Sequence, residues 1–327
     1  MSTKTLQKKQ HIALVAQQAV DALPNAQTTL IVNDREGLFS DHANHWHRFA
    51  TASRQGSNWP QDGSFTDVFI RLLPDKTAMN MAIHAVAKQM PAQAALWIVG
   101  ANDEGIKSVR KLLDPLFTDC ETLETRRRCR LLKATRTDHP LETQLAAWKT
   151  VKDITIDGKT TAWVSYPGLF AKGKLDPATE LLLEVTKGIR PKRRVLDFGC
   201  GTGTISFAIR NRFGSIPIDA LDHDALAVLA CTQNVPGIQC FNSDGWSNLP
   251  PDTKYDLIIS NPPIHSGKEE DITILQDLVE QSAKRLTRRG SLFLVTQKRI
   301  PINWEPFFPK SSIVAQSNRY KVVQYHY

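Results

Sequence analysis

The 327-residue sequence has few cysteines and no long apolar run. Its five cysteines are odd in number, form no CxxC pair and are widely separated, which argues against a disulfide framework or a zinc site held by thiolates. The longest apolar run near the N-terminus, residues 12–16, is too short for the core of a signal peptide. No stretch approaches the ~20 apolar residues that a membrane span requires. We therefore expect a cytoplasmic protein without a membrane partner.

The chain is basic. Lys and Arg number 41 against 33 Asp and Glu, and the formal net charge of +8 favours a polyanionic partner such as RNA over an acidic small molecule. Any single basic cluster is better explained as a solvated face. The clusters lie at residues 126–128, 192–194 and 288–289.

Three histidines, His42, His45 and His47, lie around Trp46 at a spacing that a metal site could use. Apart from Asp41, no Cys or carboxylate nearby completes such a ligand set. We therefore expect surface or packing roles for these histidines and no bound metal.

The two halves of the chain repeat one pattern of strand, helix, strand and a final hairpin with a basic, apolar second arm. When the repeats are aligned, Asp67 falls on Asp256 and Pro74 on Pro263. The pattern predicts a duplicated α/β unit, each copy a mostly parallel sheet flanked by helices with a C-terminal antiparallel hairpin. Chance repetition of element lengths is the alternative. We place the boundary near residue 145, between domains of residues 1–145 and 146–327.

The two copies differ where chemistry would lie. Where the second half has Asn261 and Pro262, the first half has Leu72 and Leu73. The first strand also leads into residues 33–36 and not into a glycine loop. We therefore expect the first domain to be a scaffold or an RNA-binding domain without a cofactor loop.

The second half opens with a buried strand that turns through Gly199, Gly201 and Gly203 into a helix. Glycines let the backbone approach a ligand closely, and the helix N-terminus offers unpaired N–H groups. Asp222 ends the next strand, where an acid can hold a ribose diol, and Asp244 ends the third. One acid alone is weak evidence, but this order and spacing jointly indicate a nucleotide cofactor.

A dinucleotide-dependent dehydrogenase would share a glycine loop and a ribose acid. Here Asp197 precedes the glycines as D-x-G-x-G-x-G, a spacing that differs from G-x-G-x-x-G. It resembles the S-adenosylmethionine (SAM) loop of class I methyltransferases. The resemblance implies that the glycine loop receives the methionine moiety, Asp222 the ribose and Asp244 the adenine. The cofactor-binding residues expected on this basis are Asp197, Gly199, Gly201, Gly203, Asp222, Asp244, Asn261 and Phe170.

The strand that ends at Asn261-Pro262-Pro263 carries the predicted catalytic edge. Two prolines fix a rigid turn, which holds the Asn261 side chain and nearby carbonyls at the carboxyl end of the strand. An amide oxygen and a backbone carbonyl can accept both hydrogens of one planar amino group and localise its nitrogen lone pair. Since Asn-Pro is also a common turn opener, this feature alone leaves an ordinary strand end open.

The stretch from Asn261 to Gly267 is similar to the N-P-P-F-H-x-G motif of ribosomal RNA guanine-N2 methyltransferases of the RsmC and RlmG type. The resemblance extends over most of the chain and implies tandem Rossmann-like class I methyltransferase domains, of which only the second binds SAM. It implies methylation of a guanine N2 in small-subunit (16S) RNA, on assembled subunits. Further matching stretches are 45–47, 97–100, 127–129, 167–170, 175–176, 181–183, 197–203 and 319–323.

One residue departs from the motif, because Ile264 stands where the family has an aromatic that would stack on the flipped base. Stacking is worth roughly 1 to 3 kcal/mol per base, so either base affinity falls or another ring substitutes. Phe170 and Trp246 are the candidates, and the sequence does not rank them.

The expected mechanism extrudes the guanine from its helix and aligns its amino group for direct transfer. Asn261 and the carbonyl of Pro262 accept from the amino group, and Pro263 makes the turn rigid. His265 could take the released proton, contact phosphate or pack. No protein nucleophile is needed, so we expect Cys200 and Cys231 to pack in the core.

Two other functions stay open from the sequence. The acceptor could be large-subunit RNA, transfer RNA or a glutamine amide, although the positive charge and the extra domain favour RNA. The second function is that of a non-catalytic RNA-binding assembly factor with a vestigial SAM site. Ile264 is the only residue that supports it. For the main function we expect a monomer.

Overall fold

The computed structural model describes residues 3–262 and 269–326. The chain divides into two compact units. The first unit comprises Met1–Arg48 and Ser57–Lys149, and the second comprises Phe49–Gly56 and Thr150–Tyr327. Both units are mixed α/β folds with largely parallel sheets, as the sequence predicts.

The first unit is a six-stranded sheet in the order β2-β1-β3-β4-β6-β5. Its first four strands in that order are parallel, and β6 and β5 form an antiparallel hairpin at one edge. Asp75 caps the second helix by accepting from the backbone N–H groups of Thr77 and Ala78. The elements are α1 (Thr3–Ala22), β1 (Thr29–Val32), β2 (His45–Trp46), β3 (Asp67–Arg71), α2 (Lys76–Ala87), β4 (Ala95–Ala101), β5 (Phe117–Arg126) and β6 (Cys129–Arg136).

The second unit begins with a separate two-stranded hairpin. Asp157 and Gly158 form its turn with positive φ values of 51° and 76°, as an Asp-Gly hairpin turn requires. A seven-stranded sheet follows in the order β11-β10-β9-β12-β13-β15-β14, with β15 and β14 antiparallel at one edge. The elements are β7 (Thr150–Ile156), β8 (Lys159–Ser165), α3 (Pro177–Val185), β9 (Val195–Phe198), α4 (Thr204–Phe213), β10 (Ile218–Asp222), α5 (Ala225–Asn234), β11 (Gln239–Asn242), β12 (Tyr255–Ser260), α6 (Glu269–Arg285), β13 (Leu286–Gln297), β14 (Lys310–Gln316) and β15 (Tyr320–His326).

The central strand β12 is buried on both faces, as its continuous apolar run predicts. Leu257 and Ile259 pack in one hydrophobic cluster, and Ile258 packs in the cluster on the opposite face. All three side chains are fully buried. The strand therefore holds the residues at its carboxyl end on a rigid base.

The strand registers of the two sheets confirm the predicted duplication. Phe69 of β3 lies between Ile31 of β1 and Trp97 of β4. Its aligned counterpart, Ile258 of β12, lies in the same way between strands β9 and β13. Among the described residues, the second sheet has one strand more than the first, β11, which lies beyond β10.

No described helix combines the length and apolar character needed to cross a membrane. Within residues 3–262 and 269–326, no group of three or more His, Cys, Asp and Glu side chains is arranged to hold a metal ion. The rings of His45 and His47 stack on each other with their centroids 5.1 Å apart.

Candidate active site

The glycine loop connects β9 to α4. Gly199, Gly201 and Gly203 have φ values of 73°, 52° and 93°, a left-handed region that other residues rarely adopt. At Gly203 a side chain would also meet the sulfur of Cys231, 2.8 Å from the added Cβ. The first two glycines line a cavity of about 730 Å³ within the second unit. The loop thus brings bare backbone to the cavity wall.

Asp222, at the carboxyl end of β10, links two walls of this cavity. One carboxylate oxygen accepts from the N–H of Gly201 at 2.9 Å, and the other accepts from the N–H of Asp224 at 2.9 Å. The ring of His223 lies 3.3 Å from the same carboxylate. Burial raises the pKa of Asp222, but these donors outweigh it and leave the pKa below its ordinary value. The side chain is therefore an anion at neutral pH.

Asp197 is fully buried at the third position of β9 and is not among the cavity-lining residues. Its Oδ2 accepts from the N–H of Ser206 at 2.9 Å and from the Ser206 hydroxyl at 2.6 Å. Its Oδ1 has no hydrogen-bond partner among the described residues. Burial raises the pKa of Asp197 to about 7, despite the opposing effect of Ser206. Asp197 therefore fixes the first turn of α4 behind the glycine loop.

Asp244 follows β11 and is exposed at the cavity. Its turn is held by Ser243, whose hydroxyl donates to the carbonyl of Gly245 at 2.8 Å and accepts from the N–H of Asn248 at 3.0 Å. Trp246 packs against Phe198, with ring centroids 4.8 Å apart. The turn thus contributes one carboxylate and one aromatic side chain to the cavity wall.

Asn261 lies at the carboxyl end of β12 and lines the cavity together with Pro262. Its Nδ2 donates to the Oδ2 of Asp176 at 3.0 Å and to the hydroxyl oxygen of Thr179 at 2.8 Å. Both donor positions of the amide are therefore engaged, and the opposite, oxygen end is an acceptor. Pro263, Ile264 and His265 lie outside the described residues, so their expected roles stay predictions.

The remaining walls are apolar and come from two segments. Phe170, in the turn before α3, is 49% exposed, and Ile274 of α6 is 48% exposed. Thr273, Asp277 and Gln281 are spaced four residues apart along α6 and present one helical face to the cavity. A cavity of this size with apolar walls and a few carboxylates suits a nucleoside-sized ligand.

One wall residue has no local sequence signal. Phe49, from the first half of the sequence, belongs to the second unit and stacks on His223 with ring centroids 5.2 Å apart. The N–H of Ala50 donates to the carbonyl of His223 at 2.7 Å. The N–H of Gly56 donates to the side chain of Asn242, which itself donates to the carbonyls of Asp222 and His223. Residues 49–56 are therefore fastened to the carboxyl ends of β10 and β11.

The cysteines that are far apart in sequence come partly together. Cys200 and Cys231 are buried in a small cluster against which Cys240 packs. All five cysteines are free thiols. The neighbouring Cys231 thiol lowers the pKa of Cys200, but burial and nearby carboxylates raise it overall to about 12. The predicted packing role of Cys200 and Cys231 is confirmed.

The glycine loop, the acids at successive strand ends and the parallel sheet with its antiparallel hairpin define a class I methyltransferase, the class that uses SAM as methyl donor. The model of the methyltransferase small domain matches residues 160–324, and that of its N-terminal domain matches residues 3–151. The chain belongs to the methyltransferase small domain family, in the group of ribosomal RNA small subunit methyltransferase C.

Relatives match most of the chain. A protein named ribosomal RNA small subunit methyltransferase C from Shewanella sp. (strain MR-4) is 28% identical, covering 97% of this chain and 94% of the relative. That of Shewanella halifaxensis is 31% identical, covering 82% of this chain and 79% of the relative. A solved structure of the Thermus thermophilus 16S rRNA N2 G1207 methyltransferase with AdoMet and guanosine has the same fold. Its TM-score is 0.82 at 20% identity, and the match covers 96% of this chain and 91% of that one.

Proposed function

We propose that the second unit methylates the exocyclic N2 amino group of a guanine in 16S ribosomal RNA of the small subunit, using SAM. The observation that carries this proposal is the amide of Asn261, which lies in one cavity with the glycine loop and Asp222. The names of the relatives, which specify small-subunit ribosomal RNA, and the basic charge of the chain favour this RNA.

The donor set of the cavity fits SAM. The glycine loop brings backbone without side chains close to the methionine moiety, near the N-terminus of α4. The N–H groups of Gly199, Gly201 and Gly203 hold the loop itself, since they donate to Leu221, Asp222 and Cys200. Asp222 is held as an anion that can accept from both ribose hydroxyls, and Asp244 can accept from the adenine amino group. Bound SAM supplies an electrophilic methyl group on its sulfonium. Asp197 supports this site from behind by holding α4 through Ser206.

Asn261 and Pro262 orient the acceptor. The guanine amino group is a poor nucleophile because its lone pair is delocalised into the ring. The Asn261 oxygen and the Pro262 carbonyl accept its two hydrogens, which localises that lone pair towards the methyl group. The base must leave its helix to reach them. His265 is our candidate for receiving the released proton, and Pro263 for stiffening the turn.

Phe170 is the ring that we propose to stack on the flipped base in place of the aromatic expected at Ile264. Its side chain is 49% exposed and borders the cavity. Trp246 is the poorer candidate, because its ring packs on Phe198 and lies 5.2 Å below the guanidinium of Arg285.

A methyl-transfer assay tests the function directly. Small subunits and naked 16S RNA are prepared from a strain that lacks the enzyme and are incubated with the full chain and tritiated SAM. We expect label in RNA, recovered as N2-methylguanosine after digestion. Label in protein, or in neither RNA, would contradict the proposal. Large subunits and transfer RNA in parallel reactions test the alternative RNA substrates.

Binding measurements separate the enzyme from a non-catalytic assembly factor. We expect the chain to bind SAM in calorimetry. We also expect it to be a monomer, which sedimentation of the purified chain checks, and to act in the cytoplasm. RNA binding without SAM binding would favour the assembly factor. For the first unit, we propose a scaffold or RNA-binding role and no cofactor binding.

A further inference from the structure

We propose that Asp176 and Thr179 are positioning residues that fix the direction of the Asn261 amide for methyl transfer. We call these three residues the amide clamp. The inference rests on the proposed function, in which the oxygen of Asn261 accepts from the guanine amino group.

The two hydrogen bonds of the clamp determine which way the amide points. The carboxylate of Asp176 can only accept, so the atom that lies 3.0 Å from its Oδ2 must be the nitrogen of Asn261. The hydroxyl of Thr179, at 2.8 Å, receives the second hydrogen. A flipped amide would place its oxygen against the carboxylate and lose this bond. Asp176 therefore determines that the nitrogen of the Asn261 amide points toward α3, and Thr179 accepts the second hydrogen of that nitrogen.

The clamp has a rigid base because Asp176 is also the N-cap of α3. The same Oδ2 accepts from the backbone N–H groups of Ala178 at 3.0 Å and Thr179 at 3.1 Å. Thr179 is 4% exposed, and α3 is anchored by Leu182 and Leu183 in the hydrophobic core of the second unit. One oxygen atom thus joins the helix end to the catalytic amide, and movement of the amide is coupled to the position of a packed helix.

This geometry distinguishes positioning from helix capping. In Asp176→Asn, a single amide oxygen can replace Oδ2 in all three bonds. Asp176→Ala removes the cap and the amide contact together. Thr179→Val removes only the second acceptor while keeping the shape of the side chain. The matched control is Asp75→Ala in the first unit, since Asp75 caps α2 through the N–H groups of Thr77 and Ala78.

Steady-state kinetics on small subunits test the clamp. We expect kcat to fall about 30-fold in Asp176→Ala and about 5-fold in Thr179→Val, because a transition-state contact is no longer preorganised. KM for SAM should change less than about 3-fold, since the cofactor walls are unchanged. Asp176→Asn should keep kcat within about 3-fold of the parent, and Asp75→Ala within about 2-fold. Equal kcat in Asp176→Ala, Thr179→Val and Asp75→Ala would overturn the inference.

A measurement without substrate separates this inference from the function itself. In protein labelled with ¹⁵N-asparagine, the side-chain NH2 of Asn261 is assigned by its loss in Asn261→Ala. We expect both of its hydrogens to exchange slowly with water in the parent and rapidly in Thr179→Val and Asp176→Ala. Rapid exchange in the parent would refute the clamp even if RNA is methylated. Slow exchange with no RNA methylation would refute the function and leave the clamp intact.

Discussion

Six strands follow the same order in the sheets of the two units, but the carboxyl edge of the sheet is filled in the first unit and open in the second. Counted from the aligned Asp67 and Asp256, Arg71 corresponds to Ser260. The side chain of Arg71 is 2% exposed and pairs with Glu36 at 3.1 Å and Glu104 at 2.8 Å. The Ser260 hydroxyl instead donates to the carbonyl of Phe198 at 2.7 Å. In the first unit, a buried ion cluster thus fills the edge of the sheet. The corresponding edge of the second unit borders the cavity.

The neighbouring residues of the first unit complete this filling. Leu72 and Leu73 are buried, and Leu72 packs so closely on Gly100 that a Cβ there would lie 2.7 Å from its side chain. Burial raises the pKa of Glu104, but Arg71 reverses this and lowers it below the ordinary value. The edge that corresponds to the cavity of the second unit is thus packed in the first unit. Charges and leucines packed into the edge take the place of a glycine loop and an acceptor turn.

Breaking the ion cluster should give the largest effect. Arg71→Ala removes the guanidinium that pairs with buried Glu36 and with Glu104, and it leaves Glu104 only its longer contacts with Arg35 at 3.8 Å and Lys8 at 3.9 Å. Breaking a buried pair typically costs about 3–5 kcal/mol. We expect the free energy of unfolding of the first unit to fall by this amount, so that its transition moves to lower urea concentration. Urea titration followed by circular dichroism measures the change. Arg126→Ala, at an exposed position of the same unit, is the control. A change below about 1 kcal/mol would show that the cluster is solvated.

Removing the acceptor of the second unit tests the other side of the comparison. Asn261→Ala should lower the rate of methyl transfer on the order of 10²-fold or more, since one preorganised contact to the reacting group is lost. SAM affinity in calorimetry should stay within about 3-fold. The control is Asn44→Ala, whose amide donates to the carbonyls of Gln27 and Thr29 in the first unit. Near-normal turnover of Asn261→Ala would remove this residue from the mechanism.

Phe49 tests whether residues 49–56 complete the cofactor wall. Phe49→Ala should weaken SAM binding about 3- to 10-fold through loss of an aromatic contact, with kcat at saturating SAM unchanged. Phe213→Ala, a partly buried phenylalanine of the second unit that does not line the cavity, is the matched control. Equal SAM affinities in the two variants would show that the wall is complete without Phe49.

A pH dependence of stability is expected from Asp197. Its pKa is about 7 when folded against an ordinary value of 3.8. The unfolded chain therefore loses this proton first, and the stabilising contribution present below pH ~4 is lost as the pH rises to ~7. One pKa unit corresponds to about 1.36 kcal/mol, so a shift of about three units limits this loss to about 4 kcal/mol.

Thermal unfolding of the parent and Asp197→Asn at pH 5 and pH 8 measures this contribution. We expect the stability of Asp197→Asn relative to the parent to be higher at pH 8 than at pH 5. A difference that does not depend on pH would show that Asp197 is ionised throughout this range.

Local motifs account for what the sequence predicts well. The glycine loop, Asp222 and Asp244 follow their strands directly, so the shared carboxyl edge of a parallel sheet brings them together. The Asp157-Gly158 hairpin and the duplicated strand order are likewise encoded in short patterns. These features need no knowledge of distant contacts.

Long-range contacts explain what the sequence does not show. Asn261 and Asp176 are 85 positions apart, and Gly56 and Asn242 are 186 positions apart. No periodicity or spacing connects such pairs, because each partner has an ordinary local role as a cap, a turn or a strand end. The three clustered cysteines are a further example, since only the fold brings Cys200, Cys231 and Cys240 together.

Residues 49–56 have a consequence for the history of the gene. The cofactor cavity takes one wall from Phe49 and the others from residues beyond position 150. A recombination event that transferred the second half alone would therefore transfer an incomplete site.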